Sequence, residues 1–262
     1  MDFDGALDFT GKTALVTGSG ALGGLGHAAA KIFAAGGAHV IITGTDPDRG
    51  ADVVEDVRAG AGESPEPAEQ ATGTVRFIPA DLADPQAVQQ LADEAGPVDI
   101  LVNNASVVTF APTAEQELGV YDTAFAVNVR APFQLTALLA PKMAAGGGGA
   151  IVNISSTAAG IGMPPLAVYG ATKAALESLT RTWAAEFAPS NVRVNSVSPG
   201  PTHTSKAVSM MGPDMAGMGT TTALGRTADP VEVAQVVAFL ASDRASYVTG
   251  AIVAADGGRS AI

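Results

Sequence analysis

Ser156, Tyr169 and Lys173 are the residues whose types and spacing could carry out proton transfer. Tyr169 comes thirteen residues after Ser156, and Lys173 four residues after Tyr169. Residues four apart share one face of a helix. A neighbouring ammonium lowers the pKa of a tyrosine from its ordinary value of about 10. Such a tyrosine can give a proton to a carbonyl oxygen or take one from an alcohol, with Ser156 orienting that oxygen. By spacing alone, a Tyr–Lys pair is more often an ordinary helix-face contact.

A glycine-rich turn lies near the start of the chain, where residues 17–26 read TGSGALGGLG. Glycine lets the backbone approach a phosphate closely, and the start of the following helix offers free N–H groups and a positive dipole end. The turn predicts a pyrophosphate site, with a flexible loop as the alternative. The candidate contacts are Gly18, Ser19, Gly20, Gly24, Leu25 and Gly26.

The end of the second predicted strand carries the choice of cofactor, at Thr45 and Asp46. A carboxylate there can accept hydrogen bonds from a ribose 2′-hydroxyl, whereas a basic residue would favour a 2′-phosphate. Neither Thr45, Gly44 nor the glycine turn supplies Lys or Arg, so the pattern favours NAD. Arg49 keeps NADP open, and a solvated turn residue is the alternative for Asp46.

Alternating strands and helices must position these residues. Apolar, β-branched runs predict the strands Lys12–Thr17, Ala38–Thr43, Val75–Pro79, Val98–Val102, Ala150–Ile154, Val192–Val197 and Ala251–Ala254. Helical spacing predicts the helices Gly26–Ala35, Asp48–Ala59, Pro85–Ala95, Glu115–Leu139, Val168–Phe187 and Pro230–Leu240. This order is typical of an α/β fold with one Rossmann-like, doubly wound parallel sheet in three α/β/α layers. We expect a single domain over residues 1–262.

Two segments depart from the alternation. Gly60–Thr74 is polar and contains proline, which predicts a long surface loop. His203–Arg226 is rich in Met, Thr and Gly, and we expect a mobile flap over a site at the carboxyl end of the sheet.

Composition excludes several classes of function. With 14 Lys and Arg against 26 Asp and Glu, the net charge of −12 argues against nucleic-acid binding. Cysteine is absent and only three histidines occur, so thiolate catalysis is excluded and a metal site is not expected. The chain has no long uncharged apolar run and its first residues are acidic, so we expect neither membrane insertion nor a signal peptide, and a cytoplasmic location.

Together these motifs resemble the short-chain dehydrogenase/reductase family over essentially the whole chain. The matching pieces are Thr17–Gly26, Asp81-Leu82, the NNAS of Asn103–Ser106, Asn128, Ser156, Tyr169–Lys173, Pro199–Thr204 and the terminal VTGAIVAADGG. The resemblance includes 3-oxoacyl-carrier-protein reductases. It implies a Rossmann-like sheet, NAD or NADP, and hydride transfer between a ketone and a secondary alcohol.

The resemblance also implies roles for the catalytic residues. Tyr169 would be the acid/base, and Lys173 would bind the nicotinamide ribose and lower the pKa of Tyr169. Ser156 would hold the substrate oxygen, and Asn128 would support a water that relays protons to Lys173. A helix-kink residue is the alternative for Asn128.

Further residues would contact the cofactor by the same resemblance. Asp81 would contact the adenine with Leu82 beside it, and Asn103 and Ala105 would line the cofactor near its ribose. For Asn103, a tie between loops at the strand end is the alternative. The remaining candidates, near the nicotinamide end, are Pro199, Gly200, Thr202 and Thr204.

Two departures from the family pattern stand out. Five residues, Ser19–Gly23, separate Gly18 from Gly24, two more than in the usual turn of the family. Ser106 replaces the glycine that usually follows Asn-Asn-Ala. Neither change removes a group needed for the chemistry, but the first leaves the phosphate contacts open and the second adds a side chain near the cofactor.

The expected substrate is a small molecule of apolar character: an apolar ketone or secondary alcohol, a 3-oxoacyl thioester and a cyclic alcohol all fit. The candidate pocket residues are Val107, Val108, Thr109, Ala158, Gly160, Met163, Leu166, Met210, Met211, Met215 and Met218, with Lys206 the nearest cation. Methionine suits adaptable apolar contacts, although these methionines could equally pack against each other or a second subunit. Family habit implies a homotetramer, or a dimer. A non-catalytic nicotinamide-binding regulatory protein on the same fold is the alternative function.

Overall fold

The computed structural model describes residues 7–61 and 73–262. Its strands are β1 (Thr13–Val16), β2 (His39–Gly44), β3 (Val75–Pro79), β4 (Ile100–Asn103), β5 (Gly149–Ile154), β6 (Val192–Pro199) and β7 (Ile252–Ala255). Among the described residues these seven strands form one sheet in the order β3-β2-β1-β4-β5-β6-β7. Every pairing is parallel, which confirms the predicted doubly wound α/β fold.

Helices cover both faces of this sheet. Their bounds are α1 (Leu25–Ala35), α2 (Pro47–Ala61), α3 (Pro85–Ala95), α4 (Leu118–Phe125), α5 (Ala131–Ala145), α6 (Ala167–Phe187), α7 (Ser205–Met211) and α8 (Pro230–Ala241). One core contains buried side chains of α1, α2 and α8, and the other contains those of α3, α5 and α6. The strands between them are apolar because both of their faces are buried.

The order of the strands places a crevice beside β1. The chain runs from β1 outward through β2 and β3, and then returns to β4 on the other side of β1. Connections leave in opposite directions at this point, so the loops that follow β1 and β4 separate and leave an opening at the carboxyl ends of the strands. The glycine turn follows β1, and Ser106 lies shortly after β4.

The long helix predicted over Glu115–Leu139 is interrupted. A short 3-10 turn at Thr113–Glu115 precedes α4, and a π-helical turn at Ala126–Arg130 joins α4 to α5. In that turn the N–H of Ala131 bonds to the carbonyl oxygen of Ala126, five residues back. A π turn inserts one residue and shifts the following face of the helix, which an apolar period cannot indicate. Asn128 lies within it.

The two irregular segments differ from the sequence-based expectation. Gly60 and Ala61 end α2, and most of the predicted Gly60–Thr74 loop, residues 62–72, lies outside the described residues. The flap segment contains α7 and a 3-10 segment at Met215–Thr221. Its base is closed by a bridge between Thr202 and Ala228, so the flap begins and ends at one place.

Within residues 7–61 and 73–262, no helix combines the length and the hydrophobicity that a bilayer span requires. The same residues contain no group of three or more His, Asp or Glu side chains placed to hold a metal ion.

Candidate active site

A cavity of about 700 Å³ opens at the carboxyl ends of the strands. It brings together residues far apart in the sequence. The expected site residues that line it are Gly18, Gly24, Leu25, Thr45, Asp81, Leu82, Ala105, Ser156, Tyr169, Lys173, Pro199, Gly200, Thr202 and Thr204. The expected residues that do not line it are Ser19, Gly20, Gly26, Asp46, Asn103 and Asn128.

Lys173 is buried at the base of this cavity, with 1% of its surface exposed. It lies one helical turn after Tyr169 in α6, and its Nζ donates a hydrogen bond to the carbonyl oxygen of Ile154 at 2.7 Å. Burial lowers the pKa of Lys173 to about 7, because the ammonium loses hydration that one carbonyl does not replace. The last residue of β5 thus fixes the position of the amine.

Tyr169 faces the same cavity, and burial raises the pKa of its hydroxyl above the ordinary value. The hydroxyls of Ser156 and Ser106 act in the opposite direction, since hydrogen bonds favour the phenolate. The sequence predicted that Lys173 lowers the pKa of Tyr169. Instead, Lys173 Nζ lies 5.7 Å from the centre of the tyrosine ring and its own charge is disfavoured, so desolvation outweighs the expected attraction.

Ser156 presents its hydroxyl from the end of β5. Its Oγ accepts a hydrogen bond from the N–H of Ala158 at 3.2 Å, which caps the short 3-10 turn Thr157–Ala159. The cap keeps the hydroxyl beside Tyr169 because it fixes the backbone immediately after the strand. The oxygen can therefore contact both Tyr169 and a bound group.

Asn128 holds the loop after β4 against α6. It is fully buried, and its Nδ2 donates to the carbonyl oxygen of Val107 at 2.8 Å and to Thr172 Oγ1 at 3.0 Å. Its Oδ1 accepts from the N–H of Val107 at 2.8 Å. Thr172 in turn donates to the carbonyl oxygen of Tyr169. Asn128 thus positions neighbours of the site, and its place in the π turn also fits the helix-kink alternative. Its part in a proton relay stays a prediction.

The glycine turn packs directly on the loop after β4. Gly18 has a φ of +64°, and a Cβ there would lie 2.6 Å from the Cα of Ala105. A Cβ on Gly26 would lie 2.5 Å from Asn104 Nδ2. Side chains at either position would push the turn away, so these glycines permit the close approach that shapes the cavity wall.

Ser19 and Gly20 attach this turn to β2 and do not face the cavity. Ser19 is fully buried; its Oγ donates to the carbonyl oxygen of Val16 and accepts from the N–H of Thr43 at 3.2 Å. Gly20 lies against Phe77 and Gly44. The part of the turn that lines the cavity consists of Gly18, Ala21, Gly24 and Leu25.

Asp46 faces its own helix. Its Oδ1 accepts from the N–H groups of Asp48 and Arg49, and its Oδ2 pairs with Arg49 Nε at 2.8 Å. These hydrogen bonds lower the pKa of Asp46. The cavity wall at the end of β2 is formed by Thr43, Gly44 and Thr45, so Asp46 caps α2 in this structure.

Asn103 ties two strands together, and its place near a cofactor ribose stays a prediction. Its Nδ2 donates to Asn153 Oδ1 at 2.8 Å, between β4 and β5. Asp81 and Leu82 line the cavity, and Asp81 Oδ1 also accepts from the N–H of Ala83. The strand-end residues thus divide into those that hold the sheet and those that face the opening.

The segment after β6 forms the opposite wall. A Cβ on Gly200 would lie 2.7 Å from the Cα of Asp256, so this position requires glycine. Thr202 Oγ1 donates to the carbonyl oxygen of Gly200 at 3.0 Å, and Thr204 caps α7 through the N–H of Ala207. The flap therefore starts from a fixed turn.

The apolar part of the cavity only partly matches the sequence-based expectation. The lining includes Val107, Val108, Met211, Met215 and Met218. The candidates that do not line it are Thr109, Ala158, Gly160, Met163, Leu166 and Met210. Lys206, at the start of α7, reaches the carbonyl oxygen of Ser106 at 3.4 Å.

Sequence reasoning did not assign two polar atoms of this cavity. Ser106 Oγ and Thr43 Oγ1 are buried and make no well-aligned hydrogen bond with the described residues. Ser106 was noted as a departure from the family pattern, but its place beside Tyr169 depends on the loop that Asn128 holds. Nothing in the sequence indicated that Thr43 would face the cavity, because threonine is common near the end of a buried strand.

Comparisons with known proteins agree with this geometry. A family model described as Enoyl-(Acyl carrier protein) reductase matches residues 20–260. A solved structure titled short chain dehydrogenase/reductase family protein is 46% identical, with a TM-score of 0.87, and the match covers 98% of this chain and all of that one. The chain belongs to the short-chain dehydrogenase/reductase family. This confirms the resemblance drawn from its motifs.

Two further members of the family have more specific names. L-xylulose reductase of Bos taurus is 37% identical over 96% of this chain and 98% of its own length. The 3-oxoacyl (acyl-carrier-protein) reductase of Agrobacterium tumefaciens C58, solved with NADP bound, is 32% identical, covers 98% of each chain and has a TM-score of 0.88. The protein is an oxidoreductase of this family that acts on CH–OH groups.

Proposed function

We propose that the protein interconverts a ketone and a secondary alcohol with a nicotinamide cofactor, and that Tyr169 is its acid/base. One observation carries the proposal: Tyr169, beside Ser156 and with Lys173 at the base, shares one cavity with the glycine turn. A proton donor and a nucleotide-sized opening are therefore adjacent. The non-catalytic alternative would leave this arrangement without a use.

The residues present fit a dinucleotide. Gly24 and Leu25 begin α1, where N–H groups without intrahelical partners and the positive end of the helix dipole suit a pyrophosphate. Thr43 Oγ1 is a buried hydroxyl without a well-aligned partner on the cavity wall, and a bound ribose or base would relieve that cost. Asp81 and Leu82 extend the same wall. When bound, the nicotinamide supplies or accepts the hydride.

The protein's own residues handle the proton. Ser156 orients the reacting oxygen, and Tyr169 protonates that oxygen during reduction or removes its proton during oxidation. We expect Lys173, which is held by Ile154, to contact the nicotinamide ribose, and an anionic or hydroxyl partner there would favour its charged form. Protonated Lys173 would then stabilise the phenolate of Tyr169, which the isolated protein disfavours.

We infer a preference for NAD over NADP from the end of β2. Thr43, Gly44 and Thr45 form the wall there, and the lysines on the cavity lining, Lys173 and Lys206, belong to α6 and α7. Arg49, the nearby cation, is paired with Asp46. A 2′-phosphate would find no free cation at this wall. The preference for NAD is therefore supported by the uncharged wall at the end of β2. Asp46 does not contribute to it, because its carboxylate points to its own helix.

The substrate we propose is a small ketone or secondary alcohol with an apolar remainder. Val107, Val108 and the flap methionines line the same cavity as Tyr169. Methionine adapts to irregular shapes, so the site favours apolar contact over clamping of a charged group.

The test of this function is a spectrophotometric panel. The protein is assayed with NADH and with NADPH against cyclic and linear ketones, and with NAD and NADP against the matching alcohols. The proposal expects oxidation of NADH with at least one apolar ketone. Cofactor binding without turnover across the panel would favour the non-catalytic alternative, and no cofactor binding would overturn the proposal.

A homotetramer and a cytoplasmic location stay predictions. Leu118 of α4 and Phe133 of α5 are 77% and 52% exposed, which supports the idea that these helices meet another copy of the chain. Light scattering at micromolar concentration tests the assembly, and a monomer would contradict it.

A further inference from the structure

A histidine side chain, that of His27, hydrogen-bonds to the longer glycine turn on one side. The N–H of Gly23 donates to His27 Nδ1 at 3.2 Å, and His27 Nε2 lies 2.7 Å from Asp56 Oδ2. Since Nδ1 accepts, the proton of the neutral ring belongs on Nε2, where Asp56 accepts it. Asp56 also binds Lys31 at 3.0 Å. The ring of His27 is thus held by α2 while it holds the turn.

The same turn is attached to the flap on its other side. The N–H of Ser205 donates to the carbonyl oxygen of Gly23 at 3.0 Å, and Ser205 Oγ donates to that of Leu22 at 2.7 Å. Ser205 is the first residue of α7, which carries Lys206 and Met211 to the cavity. Gly23 itself has a φ of +70°, and a Cβ there would lie 3.3 Å from Ser205, so glycine permits this contact.

The backbone of Gly23 therefore hydrogen-bonds to two helices, α1 and α7. Its N–H is used by His27 of α1, and its carbonyl by Ser205 of α7. It directly precedes Gly24, which lines the cavity where a pyrophosphate would bind. A shift of the turn that accompanies binding would change both contacts, because the intervening backbone is only one residue long.

We propose that His27 is a positioning residue that holds the longer turn ready for the cofactor, and that Gly23 links cofactor binding to the position of α7 through Ser205. This inference rests on the proposed function, since the turn must bind a nicotinamide cofactor. Binding at the turn and ordering of α7 then favour each other, because each reduces the conformational freedom that the other must lose.

The first test separates the hydrogen bond between His27 and Gly23 from the contact between α1 and Asp56, in which His27 also takes part. H27F removes the acceptor for Gly23 and the contact with Asp56, whereas K31M weakens only the contact between α1 and Asp56. Calorimetric titration with NADH and NADPH should show the Kd of H27F raised about 3- to 10-fold, the effect of one hydrogen bond. The Kd of K31M should stay within about twofold of wild type, since its turn is intact. Thermal unfolding of both variants without cofactor checks that each is folded.

The second test needs no variant. The amide hydrogen of Ser205 makes the contact with Gly23, so its exchange with solvent reports the link directly. Hydrogen exchange of the wild-type protein should slow in peptides covering residues 203–211 when NADH or NADPH is bound.

The outcomes distinguish the two proposals. A wild-type protein that binds neither cofactor would overturn the proposed function. If it binds a cofactor, the link is overturned by unchanged exchange over residues 203–211. The role of His27 is overturned by an unchanged Kd in folded H27F, or by an equal loss of affinity in K31M.

Discussion

Lys173 Nζ and the carbonyl oxygen of Ile154 lie 2.7 Å apart at the end of β5. This contact holds the amine at the carboxyl end of β5, where burial lowers the pKa of Lys173 to about 7. The amine of Lys173, the most deeply buried amine of the cavity, is therefore held by one backbone oxygen. Its charge state depends on what else binds there.

Replacing Lys173 should reveal the cost of this burial. The pKa of Lys173 is lower in the folded protein than the ordinary value of 10.5, so the unfolded chain binds more protons between about pH 7 and pH 10, and wild-type stability rises with pH over that range. K173M should gain thermal stability relative to wild type at pH 6, and the gain should shrink at pH 9. A gain that is the same at both pH values would contradict the lowered pKa.

Ser106 should influence the protonation of Tyr169. Its hydroxyl lowers the pKa of Tyr169 against the effect of burial. In S106A, the pH at which alcohol oxidation reaches half its maximal kcat/KM should rise by about half a unit to one unit, because the base form of Tyr169 becomes harder to reach. S209A, an exposed change on α7, should leave the profile in place. A profile unmoved in S106A would contradict an effect of Ser106 on the pKa of Tyr169.

Asn128 should matter for folding as well as for activity. N128A leaves Val107 and Thr172 with buried polar atoms that lose their partner, so the free energy of unfolding should fall by about 2–4 kcal/mol. Denaturant unfolding measures this. Q134A, which removes a surface hydrogen bond to Pro85, should cost less than about 1 kcal/mol. Equal losses in the two variants would contradict the role of Asn128.

Thr45 should control the choice of cofactor. T45R adds a cation to a wall that has none at the end of β2, and the Kd for NADPH relative to NADH should fall about tenfold, the effect of roughly 1.4 kcal/mol. R49A should leave that ratio unchanged, because Arg49 is occupied by Asp46. A ratio that responds to R49A and not to T45R would place the 2′-hydroxyl near Arg49.

The fold was predictable because it depends on patterns carried by neighbouring residues. Strands buried on both faces are mostly apolar, and Asp84 and Asp229 cap α3 and α8. Most boundaries moved by no more than two residues, which is the usual uncertainty at frayed ends, but the helix predicted to end at Leu139 continues to Ala145. The π turn around Asn128 was missed because an apolar period does not record an inserted residue.

Most of the expected site residues line the cavity, but the directions of several side chains could not be predicted. The spacing of Tyr169 and Lys173 places both on one side of α6, whatever surrounds them. The direction of Ser19 depends on Thr43 of β2, which is distant in the sequence, whereas Asp46 turns to the N–H groups and the side chain of its own helix α2. The pKa of Lys173 depends on how completely the cavity excludes water, and no local sequence pattern records that.

The most direct test of the central claim is Y169F, assayed for turnover and for cofactor affinity in the same preparation. The variant keeps the ring in place and removes only the hydroxyl. We expect turnover to fall by about 10²- to 10⁴-fold, the contribution of a general acid/base, while the Kd for NADH stays within about twofold of wild type because its main contacts are elsewhere. Turnover within about tenfold of wild type would contradict the assignment of Tyr169 as the acid/base.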